Sequence, residues 1–508
     1  MHSNDFKKFR IMISNKLIKR FGLLTVACLS LSSCELDETV YSSIFTNTFY
    51  KTASDAEKGL LAVYSSMRTL YAGPAATMVP DYSDDIVYPR GVVGRNALTL
   101  FTTEPTYTAQ TSQGRQNESP YVIWSGSYSG IENANWIIAK VPDATMDETR
   151  KKQVIGEAYF MRAFYHWMLV KNFGEVPIKT EPSVSEEKAY VAKSSIKEVY
   201  QQIYSDLDAA YNSGLPSYPN VVPGRPSKEA VNVLYAKAAL YNEDWALALQ
   251  KAELVISSGT YSLVGNIKDL YDYAKEDAAR TEMIWAFECD PISPGNGHQL
   301  VGLFGPPASA GVEYARTSYG SAFAYMSFFD SFDEKDARRT MLDTTYLDKA
   351  GKWVPQRSIT PITPNAVLIK KYADPVSTTG TIRNIPIMRY ADVILIAAEA
   401  EARLNGATAK AYGYINDIRK RAKIEELTAG LSKDAFIEAV IQERAWEFFA
   451  EGDRWYDLTR TGKFLTVVPK AVNDVYPVRN VQPKHKYFPI PQDEVNGNQL
   501  LTQNPDWD

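Results

Sequence analysis

Four stretches of this 508-residue chain carry apolar residues at helical spacing, and they come as two pairs, 228–241 with 245–258 and 389–404 with 407–422. Helices joined by so few residues must fold back on each other as antiparallel hairpins. Ala236, Ala239, Ala246 and Ala248 in the first pair, and Ala397, Ala398, Ala400 and Ala402 in the second, let neighbouring axes approach closely. Each pair has the size of a tetratricopeptide repeat, about 34 residues. A hairpin of this kind cannot bury its apolar faces alone and must stack on others. The expectation is a mainly α protein with a tetratricopeptide-like scaffold. Further helices are expected at 55–70, 121–141, 147–173 and 194–211. Gly174 and Pro177 stop the third of these, and Ser227 is placed to cap the helix that starts at 228.

Helical periodicity fails in two long segments, 73–120 and 290–386. Both are rich in Gly, Pro and small polar residues, and both carry many aromatic residues. Irregular chain of that length is usually functional. These segments are expected to form a loop face with few short strands, although the aromatic residues after Gly320 read as helical core.

The first 33 residues form a secretory leader: a basic start, an apolar run from Phe21 to Leu31, then small residues. The run is too short to span a bilayer. It ends Leu31-Ser32-Ser33-Cys34, which resembles the bacterial lipobox and makes Cys34 the acylation position. Residues 34–508 are then one α-helical domain. Six basic residues and one acid precede Cys34; removing that +5 from a whole-chain charge of −5 leaves −10. The acidic Glu35-Leu36-Asp37-Glu38 is either a solvated tether or a surface-sorting signal. Cleavage before Cys34 leaves Cys289 as the one further thiol, so the fold rests on packing rather than disulfides. Cys289 follows an apolar run and reads as buried and inert.

The charge balance gives no basic face and no nucleic-acid partner. Metal chemistry is poorly served: His166, His298 and His485 are widely spaced, and there is no HExxH, cysteine cluster or EF-hand loop. Asp81, Asp84 and Asp85 offer either a calcium site or a solvated acidic turn. No nucleophile elbow, dinucleotide fingerprint or Walker A loop is present. Glu443, Glu447 and Glu451 recur every four residues and so line one helix face. Arg444 and Arg454 lie close by in sequence, which favours structural ion pairs over a glycosidase carboxylate pair.

What remains is aromatic-polar loop chemistry. A sugar presents flat C–H faces and a rim of hydroxyls; tyrosine and tryptophan rings match the faces, and Asp, Asn and Arg match the rim. Tyr82, Asp84, Asp85, Tyr88, Arg90, Arg95 and Asn96 have that chemistry in one segment, and Tyr314, Arg316 and Tyr319 in the other. These residues are the candidate ligand contacts.

Several runs are similar to those of the SusD/RagB family: Gly156-Glu157-Ala158-Tyr159-Phe160-Met161-Arg162 leading to Phe173-Gly174-Glu175-Val176-Pro177, then Pro386-Ile387-Met388-Arg389-Tyr390-Ala391-Asp392. Ile418-Arg419-Lys420-Arg421-Ala422 follows, then Glu443-Arg444-Ala445-Trp446-Glu447 through Gly452-Asp453-Arg454-Trp455-Tyr456-Asp457. The tail adds Phe488-Pro489-Ile490-Pro491 and Gln503-Asn504-Pro505. The resemblance implies a lipid-anchored outer-membrane protein facing the cell exterior, not an enzyme and without a cofactor. Such a protein captures glycans for a SusC-like TonB-dependent transporter. A peptide-binding, RagB-like role is the alternative, and a surface glycoside hydrolase a more distant one. The shared runs belong to the scaffold, so they transfer no ligand contact.

Overall fold

The computed structural model of the chain describes residues 49–507 except 92–94, 109–117, 290–296, 308, 310–311, 316–317, 360–365 and 377–380. The leader and Cys34 therefore lie outside the described residues, as does Arg316. The long helices are α1 (Ala53–Tyr71), α2 (Pro120–Lys140), α3 (Glu148–Phe173), α4 (Ile196–Tyr211), α5 (Lys228–Tyr241), α6 (Trp245–Ser257), α7 (Tyr390–Asn405), α8 (Ala409–Ala422) and α9 (Lys433–Phe448).

Local chemistry explains their ends. Thr52 and Ser195 form capping boxes with Asp55 and Glu198, and the Ser227 hydroxyl accepts the Ala230 N–H at 3.0 Å. Gly174 (φ +74°) closes α3 and Gly406 (φ +87°) closes α7, both in backbone that a side chain would strain.

Helix α2 packs on α1 and α3, and α3 on α4; α5 pairs with α6, and α7 with α8 and α9. The two expected hairpins meet because α7 also lies against α5 and α6. At Gly130 an added Cβ would sit 2.2 Å from the Tyr165 ring, so α2 and α3 come together there because no side chain intervenes. No described helix is long and apolar enough to cross a membrane.

The segments expected to be irregular contain more order than the sequence suggests. Within the first lie short helices Ala75–Asp81, Asn96–Leu100 and Pro105–Thr108, and strand β1 (Val87–Pro89). The remaining strands are β2 (Met283–Phe287), β3 (Ala322–Tyr325), β4 (Leu342–Asp343), β5 (Thr345–Leu347), β6 (Trp353–Pro355), β7 (Ala366–Ile369) and β8 (Ile385–Arg389). They form a four-stranded sheet ordered β1-β3-β7-β4 and the two-stranded pairs β2–β8 and β5–β6. β3 and β7 are buried along their whole length, so they show no alternation in sequence. Phe323 and Tyr325 thus sit on a strand rather than in helical core; Phe328 and Phe329 are on a short helix, Met326–Asp330.

The charged residues of these sequence runs turn inward. Arg389 Nη1 meets Glu282 at 2.8 Å and Glu447 at 2.9 Å, and its Nη2 meets Glu451 at 2.9 Å. Arg421 reaches Glu282 and Glu447, Arg338 reaches Asp336 and Glu443, and Lys371 reaches Glu451 at 2.7 Å. Burial alone would raise the Glu447 carboxyl; Arg421, Arg389 and Arg338 outweigh it and hold the group below the usual carboxylate range. A second cluster joins Arg444 to Asp392 and Asp457, Lys237 to Asp392, and Arg460 to Glu399. The structural reading of the glutamate row therefore holds, with one change: α9 ends at Phe448, Ala450 turns the chain at φ +59°, and Glu451 reaches the cluster from outside the helix.

Candidate loop-face binding site

The rings proposed from the first segment are core residues. Tyr82 and Tyr88 are both 0% exposed. Tyr88 packs with Phe323, Tyr325 and Tyr476 in an aromatic cluster around β1 and β3. A ring closed on both faces cannot stack on a sugar, so neither residue is a platform. The polar residues there are structural too. Asp84 is buried and accepts the N–H groups of Ile86 and Val87 at 2.7 and 2.8 Å, shaping the entry to β1. Asp85 makes a two-pronged pair with Arg454 at 2.7 and 2.8 Å. Arg95 is buried against Glu118. Arg90 is half-buried, its backbone N–H donating to the Ser321 carbonyl at 2.8 Å, and Asn96 is half-buried at the start of its short helix.

Asp81, Asp84 and Asp85 do not converge on a point, because Asp84 serves the backbone and Asp85 serves Arg454. Among the described residues no three or more His, Cys, Asp or Glu side chains are arranged to hold a metal.

The second segment is different. Tyr314 is 0% exposed and belongs to the main core, but Tyr319 is 60% exposed. Trp353, on β6, is 57% exposed and is not among the contacts expected from the sequence. A tryptophan in a Gly- and Lys-rich hairpin carries no special sequence signal. Exposure of so large a ring is what marks it, and only the fold reveals that.

Polar groups lie beside Trp353. Glu313 ties the stretch before Tyr319 to the hairpin and the sheet: its Oε2 accepts the Leu347 N–H at 2.9 Å and its Oε1 accepts Lys370 Nζ at 2.8 Å. Lys370 also donates to Asp343 at 2.8 Å and lies 5.4 Å from the Trp353 ring centroid. Burial raises the Asp343 carboxyl, but Lys370 and Thr345 together bring it below its ordinary value. Burial and then the like charge of Lys370 lower the nearby Lys268 ammonium. The arrangement supplies an exposed apolar ring, fixed carboxylates and ammonium groups. It can hold a hydroxyl-rich ligand by stacking and hydrogen bonding without a titrating group.

One carboxyl elsewhere is pushed close to neutrality. Glu276 rises to about 7 through burial and then the neighbouring charge of Glu288. Its neighbour is not a free partner for acid–base chemistry, since Arg280 grips Glu288 through two bonds of 3.0 Å. Because the folded pKa of Glu276 is raised, its favourable contribution is complete below about pH 4.3, its unfolded value. It is lost as pH rises through about 7. Glu276→Gln is expected to remove that loss and make the variant more stable than wild type above pH 7 by about 1–2 kcal/mol, after allowance for solvent screening. Urea unfolding at a series of pH values checks this.

Cys289 is buried, and burial followed by Glu288 pushes its thiol up to about 12, as suits an inert group.

Comparison with known proteins adds an independent line. Residues 49–240 match the family described as "Starch-binding associating with outer membrane", and residues 314–507 match the "SusD family". The SusD-like protein P25 of Formosa agariphila is 28% identical over 516 aligned positions, covering 93% of this chain and 95% of that protein. The starch-binding protein SusD of Bacteroides thetaiotaomicron is 25% identical, covering 74% and 76%. Among solved structures, a laminarin-binding SusD-like protein superposes with a TM-score of 0.74 at 25% identity, covering 90% of this chain and 100% of its own.

Proposed function

The chain belongs to the SusD/RagB family, and from that premise we propose that it is a non-catalytic glycan-capture lipoprotein of the outer membrane. It is anchored through Cys34, faces the cell exterior and delivers oligosaccharides to a SusC-like TonB-dependent transporter. The observation that carries the binding reading is the exposed Trp353 ring beside Lys370, which Glu313 and Asp343 hold, with Tyr319 a second exposed ring of the same loop segment. Relatives whose names record binding to starch and to laminarin support glycan as the ligand class. The non-catalytic reading is supported by the glutamate row, whose members are neutralised by arginines inside the scaffold. The leader and its lipobox support the anchor, and family membership supports the transporter partner.

Calorimetric titration with starch, laminarin and other oligosaccharides, beside a panel of peptides, tests this reading. Saturable binding of at least one glycan with no product released is the expected result. Binding of peptides alone would move the protein to the RagB-like alternative, and release of shortened sugars would make it a hydrolase.

A further inference from the structure

A second cleft, on the helical scaffold, has unsatisfied donors. It has a volume of about 270 Å³ and lies between the ends of α3 and α5, the start of α4, the helix Arg454–Arg460 and the stretch at Lys486 and Tyr487. Tyr200, Tyr241, Tyr456 and Tyr487 give it aromatic walls, and Lys171 lines it. The Lys171 ammonium sits 3.9 Å from the Trp167 ring centroid and 4.1 Å from that of Tyr456. It makes neither an ion pair nor a hydrogen bond with any described residue. The Tyr241 hydroxyl and Trp167 Nε1 are enclosed and also lack acceptors. The two rings pack edge to face at 5.5 Å, so both orphaned donors belong to the aromatic group around the ammonium.

Two enclosed donors with no acceptor, beside an ammonium that no carboxylate grips, are an unstable arrangement. The carboxylates that could answer them are already occupied: Asp392 and Asp453 pair with Lys237, and Glu399 and Asp457 with Arg460. Exposed Glu243 and Lys486 also line the cleft and offset each other. Lys171 and Tyr241, which line the cleft, are donors that match an oxyanion. We propose that this cleft binds the carboxylate or sulfate of a small acidic ligand, with Lys171 as counter-charge, Tyr241 as a second donor and the tyrosine rings as apolar walls. The volume suits a single sugar unit bearing an acid group, or a free oxyanion. The proposal is independent of the loop-face site.

Burial lowers Lys171 to about 7, and Lys237 opposes its charge while Asp453 and Asp392 favour it. An anion arriving at pH 8 should therefore be accompanied by proton uptake, visible as a binding heat that depends on the buffer.

The experiment titrates the full chain with sodium glucuronate, inorganic sulfate and neutral glucose by calorimetry in two buffers. Anion binding without glucose binding is expected. Glucuronate tighter than sulfate identifies an acidic sugar unit, and the reverse identifies a free oxyanion. Lys171→Met should weaken the anion at least about tenfold and abolish proton uptake, and Tyr241→Phe should weaken it about threefold to tenfold. If Lys171→Met does not fold, proton uptake by wild type and the Tyr241→Phe affinity decide. Failure of both anions to bind, equal binding of glucose, or unchanged anion affinity in the folded variants would overturn the assignment.

Discussion

Arg389→Met is expected to lower the unfolding free energy by about 3–5 kcal/mol, the cost of breaking a buried ion pair from one side. The guanidinium is 1% exposed and touches Glu282, Glu447 and Glu451 at once. Removing it leaves three carboxylates in a dry interior, with Arg421, Arg338 and Lys371 overcommitted to them. Arg389→Lys should rescue little, because one ammonium cannot reproduce a planar fork serving three acids. The same cluster predicts acid sensitivity. Glu447 and Glu451 are held below their ordinary values, so the stability they contribute is present above about pH 4.3 and is lost as pH falls below it. Urea unfolding of both variants, with wild type followed from pH 7 to acid, measures each effect. A loss under about 1 kcal/mol would place the cluster in the range of surface pairs and contradict its structural role.

That cluster also shows how far the sequence could be read. The spacing of Glu443 and Glu447 put both on one helix face, and nearby arginines marked them as paired. The partners Glu282 and Arg338, far away in the chain, carry no local signal. Helices were legible because their apolar period, caps and glycine stops agree: Ser227, Gly174 and Gly406 fall where the helices begin and end. Short strands were not legible. β3 is apolar on both faces and only four residues long, too brief to tell from helical core.

Of the candidate rings, Tyr82, Tyr88 and Tyr314 are core residues and Tyr319 is exposed. Tyr88 and Tyr319 are the same residue type in similar company, yet one is sealed against Phe323, Tyr325 and Tyr476 while the other stands in water. Burial in a loop segment is decided by contacts distant in sequence, and composition cannot report it. Trp353 shows the converse, since its exposure became evident only once β5 and β6 were paired.

Trp353→Ala is expected to weaken glycan binding about tenfold to hundredfold, the usual cost of removing a central aromatic contact. Stability should change by no more than about 0.5 kcal/mol, because the ring is 57% exposed and anchors no core cluster. Tyr319→Ala should act in the same direction with a smaller effect, since its ring is smaller. Neither variant should alter Arg95, Asp84 or Tyr88, which hold the first segment in place from inside.

The most direct measurement is calorimetric titration of one bound oligosaccharide into wild type, Trp353→Ala, Tyr319→Ala and the double variant, with unfolding curves run on the same samples. Loss of detectable binding in the double variant, with its unfolding curve unmoved, is the predicted result. Wild-type affinity in that double variant would contradict the account, because the ligand would then be held somewhere other than on these two rings.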